Sequence, residues 1–252
     1  MLGLIVVCAD KGSGLEPHAL LDPLLGAPLL ARGIAAGLPA DSGVAGVLVV
    51  PADLADRVRA DVIERFGLDE IDRVVAGGPD RRAALLAGLQ ALPSDVELVI
   101  VQEGARALAP AGLVDRVVAA ARSADAAVPT VDAIDVVAAG DGDTLVAVEQ
   151  RSRLRVLQGP SVWKVAALKA VLASSSDDAP ETDVAVRDGV RVAVVPGDDD
   201  NRLLRDSADV SRALEVFARR AADYVFVYPQ DLLPDDPLQK ALDPTEDRVV
   251  DS

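Results

Sequence analysis

The chain has 252 residues, half of them apolar but only 2% aromatic, and a formal net charge of −16. That length suits one or two domains with a sizeable core built from Val, Leu, Ile and Ala. The acidic balance argues against nucleic acid and anionic membrane as partners, since both need a basic patch, and it opposes capture of free nucleotide unless a local basic pocket overrides it.

The first predicted element is a strand over Leu2 to Cys8. The loop Ala9-Asp10-Lys11-Gly12-Ser13-Gly14-Leu15-Glu16-Pro17-His18 follows and leads toward a helix over Pro28 to Gly37. A strand, a Gly-rich loop and a helix make a nucleotide-phosphate cradle, because glycine lets backbone N–H groups approach oxygens closely. Lys11, Gly12 and Gly14 are the candidate cradle residues. A triphosphate also needs fixed positive charge, and Lys11 is opposed by Asp10 and Glu16. Cys8 is the only cysteine. An intrachain disulfide is therefore impossible, which fits a reducing, cytoplasmic compartment. The apolar run before Cys8 is too short for a signal segment and has no basic leader. No run reaches the roughly 20 apolar residues of a membrane span.

Further strands are predicted over Val44 to Val50, Arg73 to Ala76, Leu98 to Val101, Ala126 to Pro129 and Val190 to Val195. Helical patterns lie at Ala52 to Phe66, Asp80 to Leu92, Leu113 to Ser123 and Ser207 to Ala222. Apolar strands alternating with helices predict an α/β fold, a mostly parallel, Rossmann-like sheet covered by helices on both faces. Ligands in such sheets bind at the carboxyl ends of the strands. The Gly12 loop, the Gly77-Gly78 turn and Gln102-Glu103-Gly104 are expected to converge there.

Ile134 to Glu149 breaks the rhythm and reads as a β-hairpin turning at Gly140-Asp141-Gly142-Asp143. A lone ribbon is marginal in water, so it is expected to pack on a partner subunit. Tyr224, Phe226 and Tyr228 then alternate with Val225 and Val227 before an acidic, Pro-rich end. The expected division is a domain over 1–222 and a tail over 223–252, the tail being a candidate docking element for a protein partner.

The order of these landmarks resembles the 2-C-methyl-D-erythritol 4-phosphate cytidylyltransferase family, from about Leu2 to Phe217. Gly77-Gly78-Pro79-Asp80-Arg81 resembles its Gly-Gly-x-x-Arg turn, and Val101-Gln102-Glu103-Gly104-Ala105-Arg106 its Val-His-Asp-Ala-Ala-Arg. Val128-Pro129-Thr130-Val131-Asp132-Ala133-Ile134-Asp135 resembles Val-Pro-Val-x-Asp-Thr-Ile-Lys. Gln150-Arg151-Ser152-Arg153-Leu154 and Gln158-Gly159-Pro160 resemble Asp-Arg-Ser-x-Leu and Gln-Thr-Pro. Thr182-Asp183 and Gly197 through Asn201 resemble Thr-Asp-Glu-Ala and Gly-x-x-x-Asn. The resemblance implies a nucleotidyltransferase of this fold, homodimeric through the hairpin arm.

It also implies roles. A phosphate oxygen of the acceptor attacks the α-phosphate of CTP, and cations stabilise the charge that develops. The family's loop Arg and Lys and its late Lys align here with Glu16, His18 and Leu203. Ala84, Ala133 and Gly159 stand where it has Ser, Thr and Thr. Glu103 matches the carboxylate that helps hold Mg²⁺, the cofactor an active member requires. Arg106, Arg151 and Thr182 match positions facing the acceptor's phosphate, Arg151 across the dimer. Glu103 also has an ordinary reading as a surface carboxylate, and Arg106 and Arg151 as ion-pairing side chains. With the cations replaced, the expectation is a protein that has lost catalysis and acts as a homodimeric binding or regulatory protein for a small phosphorylated ligand. The rival readings are a working cytidylyltransferase with a rearranged loop, in which Lys11 substitutes, and a nucleotidyltransferase with another substrate.

Overall fold

The structure is a computed structural model and describes residues 1–8, 15–40, 43–174 and 179–220. The strands are β1 (Leu2–Val7), β2 (Pro23–Leu24), β3 (Ala27–Pro28), β4 (Val44–Val50), β5 (Ile71–Ala76), β6 (Leu98–Glu103), β7 (Ala126–Asp132), β8 (Ala138–Asp141), β9 (Thr144–Val148), β10 (Arg155–Leu157), β11 (Ser161–Lys164) and β12 (Val192–Pro196). The α-helices are α1 (Leu29–Ala36), α2 (Ala55–Val58), α3 (Arg81–Ala91), α4 (Leu113–Ala121), α5 (Val165–Ser174), α6 (Glu181–Arg187) and α7 (Ser207–Arg220).

One central sheet runs β5-β4-β1-β6-β11-β7, with β12 on the far side of β7. The pairs β1–β4, β1–β6, β4–β5 and β7–β12 are parallel, as expected. The strands absent from the sequence reading are β2, β3, β10 and β11; in the main sheet, β10 pairs antiparallel with β7 and β11 runs antiparallel between β6 and β7. Side chains alternate strictly across the sheet. Leu4, Val6, Leu48, Val50 and Ile100 enter one core cluster; Ile5, Val7, Val47, Val49, Val99 and Val101 enter the other. This two-residue period buries both faces, which explains why the strands read as unbroken apolar runs.

The helix predicted over Ala52 to Phe66 forms in three pieces: a 3₁₀ turn over Ala52–Leu54, α2, and a π turn over Arg59–Glu64. Leu54, Val58, Val62 and Phe66 are all buried. A spacing of four overshoots the 3.6-residue turn, and the wider π turn returns all four side chains to one line.

The hairpin is shorter than predicted. It comprises β8 and β9 alone, joined through Gly142 at φ 56°, and Ile134 to Val137 lie outside either strand. It pairs with no strand of the main sheet. Among the described residues, no helix is long and apolar enough to cross a membrane. The expected loop residues Lys11, Gly12 and Gly14 and the tail over 223–252 lie outside the described residues.

Candidate active site

The strand order reverses at β1, whose successors β4 and β6 lie on opposite sides of it. In an open α/β sheet the ligand crevice lies at such a switch point, beyond the strands' carboxyl ends. Three turns meet at this edge. Gly104 N donates to Val7 O (3.0 Å), Cys8 N to Val49 O (2.9 Å) and Gly77 N to Val50 O (2.7 Å). The Gly77-Gly78 turn and the Glu103-Gly104 turn therefore converge as the sequence indicates. Asp80 then caps α3, its carboxylate accepting from Ala83 N at 2.7 Å, as N-cap aspartates do.

A chain of four alternating charges occupies the edge. Arg106 donates from Nε to Glu103 Oε2 at 2.7 Å and from Nη1 to Asn201 O at 2.8 Å. The guanidinium of Arg81 lies 3.7 Å from Glu103 Oε1. Arg81 also meets Glu181 as a fork, Nε to Oε2 at 2.8 Å and Nη2 to Oε1 at 2.7 Å. Glu181 is only 5% exposed, and a bidentate pair of this kind is what makes such burial tolerable. Burial opposes ionisation of Glu103, but Arg106 and Arg81 outweigh it and hold its carboxyl below the ordinary value of 4.5.

Asp209 in α7 behaves alike. Burial works against its charge, while the Arg205 backbone N–H and the Arg205 and Arg212 side chains bring its carboxyl below the ordinary 3.8. A carboxylate with a lowered folded pKa stabilises the fold fully above its unfolded pKa, and that contribution is lost as pH falls through the folded value. Stability should therefore fall below about pH 4.5 as these groups protonate. In Glu103→Gln the fold should be weaker at pH 7 and lose less between pH 7 and pH 3.5, measured by urea unfolding at the two pH values. An unchanged pH slope would show that Glu103 carries no such linkage.

Gly159, which stands where the resemblance expects Thr, is explained by this cluster. A Cβ there would lie 2.5 Å from Glu103 Oε2 and 3.0 Å from Arg106 Nε. A side chain and the Glu103–Arg106 pair cannot share the space. Asn201 is fully buried beside it and donates from Nδ2 to Gly159 O at 2.7 Å.

The remaining predicted residues are dispersed. Thr182 is half-buried in the first turn of α6, next to Glu181. Arg151 is exposed at the hairpin's base and donates from Nη1 to Ile134 O at 3.0 Å. Glu16 is exposed just before a 3₁₀ turn over Pro17–Leu21. His18 in that turn faces Asp53 at 3.5 Å, both side chains largely in water. Leu203 packs against the core. Sequence reasoning did not single out Glu181. Its only local signal is its place before Thr182, and its partner Arg81 is 100 residues away.

Among the described residues, no group of three or more His, Cys, Asp or Glu could hold a metal ion. Glu103 is thus a single donor, with Oε2 engaged by Arg106 and Oε1 facing Arg81. With both oxygens paired with guanidinium groups and no second donor beside it among the described residues, this lining does not fit a divalent cation.

A profile of the family 2-C-methyl-D-erythritol 4-phosphate cytidylyltransferase matches residues 3–219. The chain belongs to this family. Among its relatives, the cytidylyltransferase of Cereibacter sphaeroides is 32% identical over 221 residues, covering 86% of this chain and 97% of the relative. That of Streptomyces coelicolor is 32% identical over 229 residues, covering 86% and 84%. Solved structures agree on the fold. The 4-diphosphocytidyl-2C-methyl-D-erythritol synthase of Anaerococcus prevotii superposes with a TM-score of 0.72 at 20% identity, over 87% of this chain and 99% of that one. The cytidylyltransferase of Thermus thermophilus gives 0.65 at 26% identity, over 85% and 98%.

These matches overturn the expectation of lost catalysis. Relatives carrying the cytidylyltransferase name match this chain at near full length, which favours a retained transferase. The structure supplies a physical reason why the expectation misled. The negative charge of Glu16 sits in water, where screening weakens its repulsion, and Leu203 serves the core. Two cations do stand at the sheet edge, the half-buried Arg81 and the buried Arg106.

Proposed function

We propose that this protein transfers the cytidylyl group of CTP to the phosphate of 2-C-methyl-D-erythritol 4-phosphate and releases pyrophosphate. The observation that carries this reading is the 32% identity to the Cereibacter sphaeroides cytidylyltransferase across 97% of that protein. In the reaction an acceptor phosphate oxygen forms a bond to the α-phosphorus of CTP, and the bond to the pyrophosphate oxygen breaks. Arg106 contributes a buried guanidinium held in place by Glu103 and Asn201. Thr182, and Arg151 from the second subunit, receive the acceptor's phosphate. Lys11, Gly12 and Gly14 line the triphosphate. Mg²⁺, when carried in by the triphosphate, would neutralise charge on the phosphates. The test is full-length protein with CTP, Mg²⁺ and methylerythritol phosphate. Pyrophosphate release at ordinary enzyme rates is expected, and its absence would overturn the reading.

The same reading includes a homodimer through β8 and β9. Leu145, Val146 and Val148 of β9 are each more than 60% exposed, and Ile134 and Val136 beside the hairpin are 71% exposed. Large apolar side chains left exposed together in one segment mark an interface. Replacing Val146 and Val148 together by Asp should convert the dimer to monomer in sedimentation velocity. An unchanged mass at low concentration would remove the hairpin from the interface. The reading places the reaction in the cytoplasm, with residues 223–252 as a tail outside the domain over 1–222 that docks a protein partner.

A further inference from the structure

We propose that Gln158 is a positioning residue for the Arg106 guanidinium, acting through the loop from Gly197 to Asn201; this rests on the transferase reading above. Arg106 is buried and its guanidinium is held on both sides, Nε on Glu103 Oε2 at 2.7 Å and Nη1 on Asn201 O at 2.8 Å. A single anchor would let the planar group pivot about the Nε–Oε2 contact, whereas a pair of anchors fixes its plane. The anchor at Asn201 is a backbone carbonyl, so its place depends on what holds the loop. Gln158 follows β10 and clasps Asp198 by both backbone groups: Nε2 donates to Asp198 O at 2.8 Å, and Oε1 accepts from Asp198 N at 3.1 Å. Asp198 O also accepts from Asn201 N at 3.0 Å, which closes the turn that aims Asn201 O at Arg106. Hydrogen bonds therefore run unbroken from the Gln158 amide through Asp198 and Asn201 to the guanidinium.

The surroundings of Gln158 fit this task. The end of β7 holds both sides of the clasp, with Gln158 N donating to Pro129 O at 2.9 Å and Gly197 N to Thr130 O at 2.8 Å. A Cβ at Gly197 would lie 2.3 Å from Gln158 Oε1, so the glycine leaves room for the amide. The next carbonyl, Gly159 O, accepts from Asn201 Nδ2 at 2.7 Å and ties the same segments again. The loop keeps other supports. Leu204 N donates to Ala105 O at 3.1 Å, and Arg220 reaches the Asp198 and Asp200 carboxylates at 3.2 Å each. Loss of the Gln158 amide should therefore displace Asn201 O without unfolding the loop.

The experiment combines kinetics with side-chain NMR of the full-length protein labelled at its arginine nitrogens, Arg106→Lys identifying the Arg106 signals by their absence. Bonds from Nε and Nη1 to fixed acceptors slow rotation of the guanidinium, so the wild type should show separate, persistent Arg106 N–H signals. Gln158→Met keeps the length of the side chain and removes the clasp. It should merge or broaden those signals and lower kcat for pyrophosphate release about 10- to 100-fold, the scale of a small misplacement within a site. In the Arg106→Lys background the same substitution should lower kcat about twofold at most, because its effect runs through Arg106. A purely structural role predicts equal losses in both backgrounds and unchanged Arg106 signals. Persistent Arg106 signals in Gln158→Met, or equal losses, would overturn the proposal while leaving the transferase reading intact. Should Gln158→Met not fold, Gln158→Glu is read in the same way: it keeps the acceptor for Asp198 N and turns a carboxylate toward Asp198 O. A wild type that releases no pyrophosphate overturns the transferase reading, and the Arg106 signals still decide whether Gln158 positions the guanidinium.

Discussion

Replacing Arg106 by Ala should lower the rate of pyrophosphate release by about 100- to 1000-fold, the usual consequence of losing one charge-stabilising donor in a closed site. The effect should exceed that of any other single cation among the described residues, because Arg106 is 7% exposed and holds two groups at once. Its Nε fixes the Glu103 carboxylate and its Nη1 fixes the Asn201 carbonyl. Removing it leaves both without their buried donor, and a broken buried pair destabilises by about 3 kcal/mol. Arg106→Lys keeps the charge but cannot span both acceptors with a planar fork. It should recover part of the stability and little of the rate. Steady-state kinetics and urea unfolding of the two variants check this. An Arg106→Ala enzyme within tenfold of wild type would show that Arg106 is structural only.

Gly33→Ala should be strongly destabilising. A Cβ at Gly33 would stand 2.0 Å from Gly104 O and 2.8 Å from its carbonyl carbon. Both partners are backbone, so no side chain can rotate away. On one side, α1 is buried from Leu29 to Ile34. On the other, Gly104 N is tied to Val7 O at 3.0 Å. Overpacking against such rigid partners costs about 3 kcal/mol, which lowers the melting temperature by about 6–12 °C for a chain of this size. Gly104 follows Glu103 directly, so catalysis should fall along with stability. Gly43→Ala is the control: a Cβ there meets nothing within 4 Å, and the change should fall within about 0.5 kcal/mol. Calorimetry of both variants decides the matter. Equal melting temperatures would mean that α1 and the β6 turn can separate without penalty.

The strands β1, β4, β5, β6, β7 and β12 were legible in the sequence because each is a run of β-branched and aliphatic residues long enough to stand out between helical patterns. β11 was not. Ser161 to Lys164 is four residues long and runs directly into α5 at Val165, so no turn signal separates strand from helix. The helices α5 and α6 escaped the reading as well, and only their packing against the second core cluster reveals them. The hairpin was recognised from its Gly-Asp turn. Its ends were set too wide, because Ile134, Val136 and Val137 are exposed apolar residues that pair in no strand.

The site divides along the same line. The sequence by itself determined an acidic α/β protein with turns at Gly77-Gly78 and Glu103-Gly104 on one sheet edge, because strand polarity and loop position follow from local pattern. Matching motif to motif also singled out Glu103, Arg106 and Thr182 as candidates, and the fold brings the first two into contact. Only the tertiary structure decided which charges neutralise one another. Glu181 and Arg81 are 100 residues apart and meet because α3 and α6 start at the same edge. Glu16 and Leu203, read as lost cations, turn out to be solvated in one case and packed on the core in the other. The energy of a charge depends on its distance to its neighbours and on how much water surrounds it. Both quantities are properties of the folded chain, and a string of residues carries neither.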